Sequence, residues 1–509
     1  MHNPVALHPL VGDAMRHGWG MTGLNYAFAH VGVPMHMHVR VLNGFVYGAA
    51  RIDAPESERP RVQGMWKEAL QARSRVNHQY WTNEVLPTLL ETYRWVQAVP
   101  VETAPIREIA HAWDEFWVRI AHIWGLHFIV GPAAYRALED LADLYEAFTE
   151  NAHPGEALMM VAGWSTDLQR VQQDLYLLAE QARSSPAVSE LILGDHQPAL
   201  ATLPQVSGGE EFLRALRGFL DSHGHLGGNL VLPSWEDDPT LVLIEVRKRL
   251  QHPQEDPGKR RQHLRANADT LADRVRAKLR DRPADLDRFE AALTLAREVG
   301  PLTETHNYWL DRMLTAQVHR FLVRIGKRLV AATMLDDPPD VFYLHVDEIK
   351  AALEEPSNLR SLVADRKIQH ARWTTLTPPQ YLGAPPPPAP PGRFNPNPAQ
   401  QTDGPVLRGI GASAGISRGP VRVVLTPEGF GRVQPGDVLV CPASEPSWVP
   451  LFGIIAALIT NTGGVTSHAA VVAREFGVPA VVGVRDATQR LRDGQHVEVD
   501  GTAGVVRLA

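Results

Sequence analysis

A short glycine-containing stretch that leads into His468 holds the clearest candidate for catalysis. Gly463 and Gly464 allow turn conformations that residues with side chains avoid. Residues 469–475 are typical of a helix, so His468 is expected at or just before a helix N-terminus, where backbone N–H groups and the helix dipole favour anions. A neutral imidazole there could attack a phosphoryl group, and the amides would stabilise the arriving charge. The alternative is a loop in which Ser467 caps the helix and the histidine has no chemical role.

Two further stretches combine histidines with polar side chains. His223 and His225 lie in a glycine-rich loop after a predicted helix, and such loops often contact ligands. His306, Asn307 and Asp311 lie on a predicted helix, where polar residues beside a core-facing stripe indicate a pocket. His225 or His306 could act as a general base, because an unperturbed imidazole titrates near neutral pH. For the loop of His223 and His225, the alternative is a glycine-rich connection without ligand contacts. For the stretch of His306, the alternative is an ordinary helix N-terminus.

The surrounding sequence predicts a multi-domain protein. Residues 1–376 form a mainly helical, α+β domain in this prediction, because apolar residues recur at spacings of three and four. Asn43-Gly44 predicts a hairpin turn within it, and separate helices are predicted for residues 105–129 and 132–149. Residues 405–509 alternate short β-prone segments with a helix, which predicts a small α/β domain around His468.

A proline-rich segment, residues 377–404, separates the two predicted domains. Its run of prolines predicts an extended polyproline conformation rather than helix or sheet. We interpret it as a swivel that lets the domain of His468 move between two sites, and the alternative is a passive tether.

The last hundred residues resemble the mobile phosphohistidine domain of the PEP-utilising enzyme family, which includes PEP synthase, pyruvate phosphate dikinase, rifampin phosphotransferase and Enzyme I of the sugar phosphotransferase system. The segments TSHAAVVARE and GVPAVVG, residues 466–475 and 477–483, have the order and spacing of that family. The resemblance implies that His468 is transiently phosphorylated. It also implies that the phosphate is bound by residues of the same stretch: Gly463, Gly464, Thr466, Ser467 and Arg474.

Two of these assignments have alternatives. Thr466 stands where the PEP synthases have a regulatory threonine, and many other members of the family keep only a small polar residue there. Arg474 could help to hold the phosphate or could form an ion pair on the surface.

The first domain resembles rifampin phosphotransferase and phenylphosphate synthase. Those families carry F-L-x-x-Y-G-H-R and E-x-H-N-x-x-x-D, and the second motif corresponds here to residues 304–311. The first motif departs from the families, because His223 replaces the tyrosine and Leu226 replaces the arginine. The resemblance therefore implies a substrate pocket that contains His223, His225, His306, Asn307 and Asp311. The departures favour a different or less anionic acceptor, held by aromatic and apolar side chains.

Two family modules have no counterpart in the sequence, namely an ATP-grasp domain and the pyruvate-binding barrel. The resemblance then implies that a separate ATP-grasp protein binds ATP and Mg²⁺ and charges His468, with release of AMP and phosphate. We expect no cofactor and no metal bound by this chain itself. The pair His36 and His38 lacks an evident third metal ligand. Two alternatives remain: a condensing enzyme that activates its substrate by phosphorylation, and a non-catalytic regulatory relative.

Composition excludes several other classes of protein. The formal charge of −7 disfavours a nucleic-acid partner, which usually needs a basic face. The single cysteine, Cys441, permits no disulfide within the chain, and no signal peptide is recognised at the N-terminus. The apolar runs are too short to span a bilayer. We therefore expect a cytoplasmic protein without a membrane partner.

Overall fold

A computed structural model describes residues 6–149, 154–164, 166–194, 200–251, 256–376, 378–379, 381–383, 406–444, 448–465 and 467–508. The predicted linker, residues 377–404, lies almost entirely outside these described residues. Thr466 also lies outside them. The chain divides into two compact units. The first comprises Met1–Ala133, Gly228–Pro233 and Trp309–Pro387, and the second comprises Ala134–Gly227, Ser234–Tyr308 and Pro388–Ala509.

Helices dominate the chain before the last hundred residues. Three π-helical segments, Ala14–Leu24, Trp81–Val85 and Asn307–Met313, lie among the α-helices. In chain order the helices are α1 (Pro9–Asp13), α2 (Asn25–His30), α3 (Arg59–Ser74), α4 (Asn77–Tyr80), α5 (Leu86–Ala98), α6 (Ile106–Phe148), α7 (Pro154–Met159), α8 (Asp167–Arg183), α9 (Pro186–Leu193), α10 (Gly209–His223), α11 (Thr240–Gln251), α12 (Pro257–Leu279), α13 (Pro283–Val299), α14 (Leu302–His306), α15 (Leu314–Ala331), α16 (Val346–Glu354) and α17 (Arg360–Trp373).

The separation of residues 105–129 from residues 132–149 is wrong, because α6 runs through Pro132 without a break. A proline inside a helix removes one backbone hydrogen bond and crowds the preceding turn. Here the flanking residues Val130 and Ala133 are fully buried, so tertiary packing outweighs that cost.

The predicted hairpin is confirmed. Strands β1 (Met35–Leu42) and β2 (Phe45–Ile52) pair antiparallel, and Leu42 faces Phe45 across the turn. The two turn residues, Asn43 and Gly44, have φ of 51° and 76°. Positive φ at both positions is what a two-residue hairpin turn requires, and asparagine and glycine adopt it most readily.

The described part of the last hundred residues forms a mixed sheet accompanied by short helices, which confirms a small α/β domain after a mostly helical region. The sheet has the strand order β3-β10-β9-β5-β6-β7-β8-β4, and β5, β6, β7 and β8 are parallel. The elements are β3 (Val406–Arg408), β4 (Ile410–Ser413), β5 (Ile416–Val423), β6 (Val438–Cys441), α18 (Val449–Phe452), β7 (Ala457–Thr460), α19 (His468–Phe476), β8 (Ala480–Val482), α20 (Ala487–Arg490), β9 (His496–Asp500) and β10 (Val505–Leu508).

The sheet and the helices of the second unit share a core. Within that unit α19 packs against α12, and α7 packs against β4. Val465, three residues before His468, is fully buried in a cluster that includes Leu141, Phe289 and Leu293 of the helices. This packing fixes the loop that leads to His468 against the helical part of the same unit. Among the described residues, no helix combines the length and the apolar character that crossing a bilayer demands.

Candidate functional site

His468 is the first residue of α19 and follows the loop after the parallel strand β7. Gly463 shapes this loop, because its φ of 122° is a conformation that residues with side chains rarely adopt. The Ser467 hydroxyl donates to the carbonyl oxygen of Gly464 at 2.8 Å and does not cap the helix. The first-turn amides of α19 therefore lack a side-chain cap, which leaves a helix N-terminus suited to an anion.

A fully buried carboxylate faces the ring of His468. The Nδ1 atom lies 3.1 Å from Oε2 of Glu304 and 3.3 Å from its Oε1, and Glu304 has no exposed surface. An ionised carboxylate can only accept a hydrogen bond, so Nδ1 carries the proton and Nε2 carries the lone pair. The His468 side chain is 12% exposed, and its Nε2 has no hydrogen-bond partner among the described residues. Nε2 is buried in this arrangement, and it is the ring nitrogen left with a free lone pair.

Three more ionisable groups lie near this pair within the second unit: Glu475, Tyr135 and Arg474. Burial, followed by the negative charge of Glu304, raises the pKa of Glu475 well above its ordinary value. The Thr166 hydroxyl donates to that carboxyl at 3.2 Å. Burial and then Glu304 also raise the pKa of Tyr135.

Arg474 is buried rather than on the surface, so the alternative of a surface ion pair is wrong. Its side chain donates to the carbonyl oxygen of Ala412 at 2.8 Å, and burial lowers its pKa to about 10. The positive charge of Arg474 partly opposes the rise in the pKa values of Glu475 and Tyr135. A role in holding phosphate remains a prediction for Arg474, as it does for Gly463, Gly464 and Ser467.

His223 belongs to a second polar cluster in the same unit. Its Nε2 lies 2.8 Å from Oδ2 of Asp174, and its Nδ1 lies 2.9 Å from the hydroxyl of Tyr308. Burial lowers the pKa of His223, and Asp174 opposes that shift. The Tyr308 hydroxyl donates to the carbonyl oxygen of Ser222 at 2.7 Å, so toward His223 its oxygen can only accept, from Nδ1–H. His225 packs edge-on against Tyr308, with ring centroids 4.5 Å apart.

The environment of these histidines is aromatic. The ring of Phe219 lies 5.1 Å from that of His223 and 5.6 Å from that of Trp235, measured between centroids. Leu226, which replaces the arginine of the family motif, is buried. The prediction of a different or less anionic acceptor stays a prediction.

The remaining predicted residues do not all join this cluster. His306 and Asn307 hydrogen-bond backbone carbonyls one turn earlier, those of Leu302 and Thr303, and both side chains are buried. Asp311 belongs to the first compact unit, where it pairs with Arg312 at 2.9 Å.

The residues that the sequence reasoning missed are Glu304, Asp174, Tyr308, Tyr135 and Glu475. Glu304 had a signal, because it is the first residue of the motif that contains His306 and Asn307. Tyr308 lies four residues after Glu304, about one helical turn further along. This short segment therefore contributes to both clusters, one around His468 and one around His223.

Two family models match the chain. Residues 433–504 match the PEP-utilising enzyme mobile domain, and residues 131–304 match the rifampicin phosphotransferase fourth domain. The first match contains His468, and the second ends at Glu304.

Several curated proteins are similar to the chain. Chondramide synthase cmdD of Chondromyces crocatus is 31% identical over 96% of this chain and 13% of its own length. The uncharacterized phosphotransferase YvkC of Bacillus subtilis (strain 168) is 29% identical over 71% of this chain and 44% of its own length. A rifampicin phosphotransferase of Streptomyces sp is 33% identical over 66% of this chain and 39% of its own length. The chain thus spans less than half of the length of these relatives. Two regions of the chain are thus similar to known domains, one to the rifampicin phosphotransferase fourth domain and one to the PEP-utilising enzyme mobile domain.

Proposed function

We propose that His468 carries a phosphoryl group on Nε2 and passes it to a hydroxyl group of a small, aromatic or apolar acceptor. The observation that supports this most strongly is the contact of 3.1 Å between Nδ1 and the buried carboxylate of Glu304. A carboxylate that fixes the tautomer and orientation of an imidazole is a recurrent way to prepare the opposite nitrogen for proton or group transfer.

The reaction has two displacement steps. In the first, the lone pair of Nε2 attacks phosphorus, and the bond between phosphorus and the bridging oxygen of the donor breaks. In the second, the acceptor oxygen attacks the same phosphorus, the N–P bond breaks, and its electron pair returns to Nε2. In the second step Nδ1–H is bonded to Glu304, which stabilises the positive charge of the phosphorylated ring. The N-terminus of α19 lies beside the negative charge of the phosphoryl group.

The second step also releases the proton of the acceptor hydroxyl. His223, His225 and His306 are the candidates to receive it, and we favour the cluster of His223 and His225. A neutral His223 next to Asp174 can take up a proton, because the carboxylate stabilises the imidazolium that forms. The aromatic surroundings would hold the ring of the acceptor. His306 and Asn307 are less favoured, because both side chains already hydrogen-bond backbone carbonyls. A role of Asp311 in binding the acceptor stays a prediction.

The donor in this proposal is ATP, bound with Mg²⁺ by an ATP-grasp protein or domain. Support comes from the match to the PEP-utilising enzyme mobile domain, the region for which the sequence resemblance implies a phosphohistidine. Attack of Nε2 on the β-phosphorus would release AMP, and a water molecule would hydrolyse the bond between the β- and γ-phosphates, releasing inorganic phosphate and leaving one phosphoryl group on His468. The reaction would occur in the cytoplasm, and residues 377–404 would let His468 travel between donor and acceptor. Thr466 and Arg474 would contribute to phosphate binding or its control.

A second candidate function is a condensation in which phosphorylation activates the substrate. The alignment with chondramide synthase favours it, because that alignment covers 96% of this chain. Both candidates use the same phosphohistidine, and they differ only in whether the product keeps the phosphate.

The test incubates the protein with ATP, Mg²⁺, an ATP-grasp protein of the same family and a panel of phenolic and aliphatic alcohols, followed by mass analysis of the products. A stable phosphate ester that depends on His468 supports the first candidate. A new covalent product without phosphate supports the second. If His468 gains no phosphate under any of these conditions, the chain is a non-catalytic relative and both candidates fail.

A further inference from the structure

A small cavity connects the carboxyl of Glu475 with the surface of the second unit. It has a volume of about 30 Å³, which is enough for roughly two water molecules, and its walls come from α8, from the start of α12 and from the end of α19. Much of the wall is apolar, and Asp256 already caps α12 by accepting from the backbone N–H of Gly258 at 2.8 Å. The cavity is therefore suited to water and to no larger ligand.

Two buried carboxamides in the wall can hold such water. The side-chain oxygen and nitrogen of Gln169 have no hydrogen-bond partner among the described residues, and the residue is 8% exposed. Gln172 is 5% exposed, its Oε1 accepts from Arg249 at 2.8 Å, and its Nε2 has no partner within the described part of the chain. Buried polar atoms are nearly always hydrogen-bonded, and a buried water needs about two to four polar partners. These amides and the carboxyl of Glu475 supply them.

Glu475 and Glu304 differ in their hydrogen-bond partners. Glu304 faces Nδ1 of His468, whose ring can carry a positive charge. The carboxyl of Glu475 accepts from the neutral hydroxyl of Thr166 at 3.2 Å and borders the cavity. Two neighbouring carboxyl groups in a protein interior rarely ionise together, so the proton should stay on the one whose partner is neutral. Burial and then the charge of Glu304 raise the pKa of Glu475, which agrees with this assignment.

The other ionisable groups around Glu475 come from three helices. Arg474 precedes it in α19 and opposes the rise in its pKa. Tyr135 of α6 is affected by both carboxyl groups. Arg260 and Arg261 of α12 line the cavity beside Glu475.

We propose that Glu475 is a positioning residue of the phosphohistidine site, which stays protonated and exchanges its proton with solvent through water in this cavity. The charge of Glu304 is then the one negative charge that the two carboxyl groups place near His468. This inference rests on the proposed function of His468.

Ionisation of Glu475 would add a second negative charge to the site. Glu475 lies seven residues after His468 on the same face of α19, about 10 Å along the helix axis. With an effective dielectric constant of about 20, a charge at that distance slows attack on an anionic phosphoryl donor about tenfold.

The first experiment measures how fast phosphoramidate, which phosphorylates histidine without a partner enzyme, modifies His468 at a series of pH values. The series runs from about pH 6 to about pH 10 and so includes the pKa values of roughly 8–9 known for buried glutamates. Relative to Glu475→Gln, which cannot ionise, the wild type should become about tenfold slower as the pH rises. The ratio at each pH cancels the titration of the donor. The control Glu298→Gln removes an exposed carboxylate and should follow the wild type.

The second experiment detects the proton by infrared spectroscopy and needs no reaction. The C=O stretch of a protonated carboxyl should appear at neutral pH in the wild type and be absent in Glu475→Gln. Its shift after mixing with D₂O should be slower in Gln169→Met, which removes both unpaired atoms of that wall residue. Thermal unfolding verifies that each variant folds.

The inference is overturned if the wild type lacks this band, if Gln169→Met exchanges as fast as the wild type, or if Glu475→Gln and the wild type have the same pH profile. If His468 accepts no phosphoryl group at any pH, the proposed function fails instead. The infrared band and its exchange then still decide whether Glu475 holds a proton that solvent can reach.

Discussion

The substitution Glu304→Gln tests the role of the buried carboxylate most sharply. It preserves the shape of the side chain and removes the charge that faces Nδ1 of His468 at 3.1 Å. A hydrogen bond to a charged group contributes about 1.5–3 kcal/mol and a neutral one about 0.5–1.5 kcal/mol. The difference of roughly 1.4 kcal/mol predicts an about tenfold slower phosphorylation of His468. A larger loss follows if the amide N–H turns toward Nδ1, because the ring proton then moves to Nε2 and blocks the nucleophile.

The assay uses phosphoramidate, a chemical donor that phosphorylates histidine without a partner enzyme. The rate is measured by ³¹P NMR, and ¹⁵N–³¹P coupling identifies the modified nitrogen. The wild type should react at Nε2 alone, whereas Glu304→Ala, which frees Nδ1, should react at both nitrogens. The control is Glu298→Gln, an exposed carboxylate nearby in the sequence. The reasoning is refuted if Glu304→Gln reacts at the wild-type rate, or if Glu304→Ala still reacts only at Nε2.

Two further predictions concern stability. Burial lowers the pKa of His127 from 6.5 to about 4. The unfolded chain binds this proton more readily than the folded protein does. The free energy of unfolding, measured by urea titration, should therefore fall by up to about 3 kcal/mol as the pH decreases from 6.5 toward 4, and His127→Asn should flatten that decline. The same dependence of the free energy of unfolding on pH in both proteins would contradict this prediction. Gly463→Ala should lower the free energy of unfolding by about 1–3 kcal/mol, because φ is 122° and the added carbon would lie 2.8 Å from the Ser467 hydroxyl. The control Gly431→Ala has open space around the added carbon and should unfold like the wild type. Similar unfolding midpoints for both variants would contradict this prediction.

The part of the fold that rests on local patterns was predictable from the sequence. The turn at Asn43-Gly44 and the helix start at His468 each follow from a few adjacent residues, and both are confirmed. The continuity of α6 through Pro132 could not be predicted, because local propensity opposes it and only the burial of its flanks supports it. Such tertiary effects do not appear in a window of neighbouring residues.

The candidate site shows the same division. His468 was identified as the candidate nucleophile from its glycine-rich loop, but its partner Glu304 is 164 residues away in the chain. The sequence contains the motif that begins with Glu304, and nothing in its spacing says which member of the motif faces His468. Likewise, Asp174 and Tyr308 converge on His223 from helices that are distant in sequence. Packing alone brings these groups within hydrogen-bond distance.

The central claim is that His468 carries the phosphoryl group, and peptide mapping after phosphorylation tests it most directly. The protein is incubated with an ATP-grasp protein and ATP labelled at the β-phosphate, then digested at alkaline pH. We expect one acid-labile label, on the peptide that contains His468, and none in His468→Ala. A stable label on a serine or threonine, or an equal label in His468→Ala, would contradict the account.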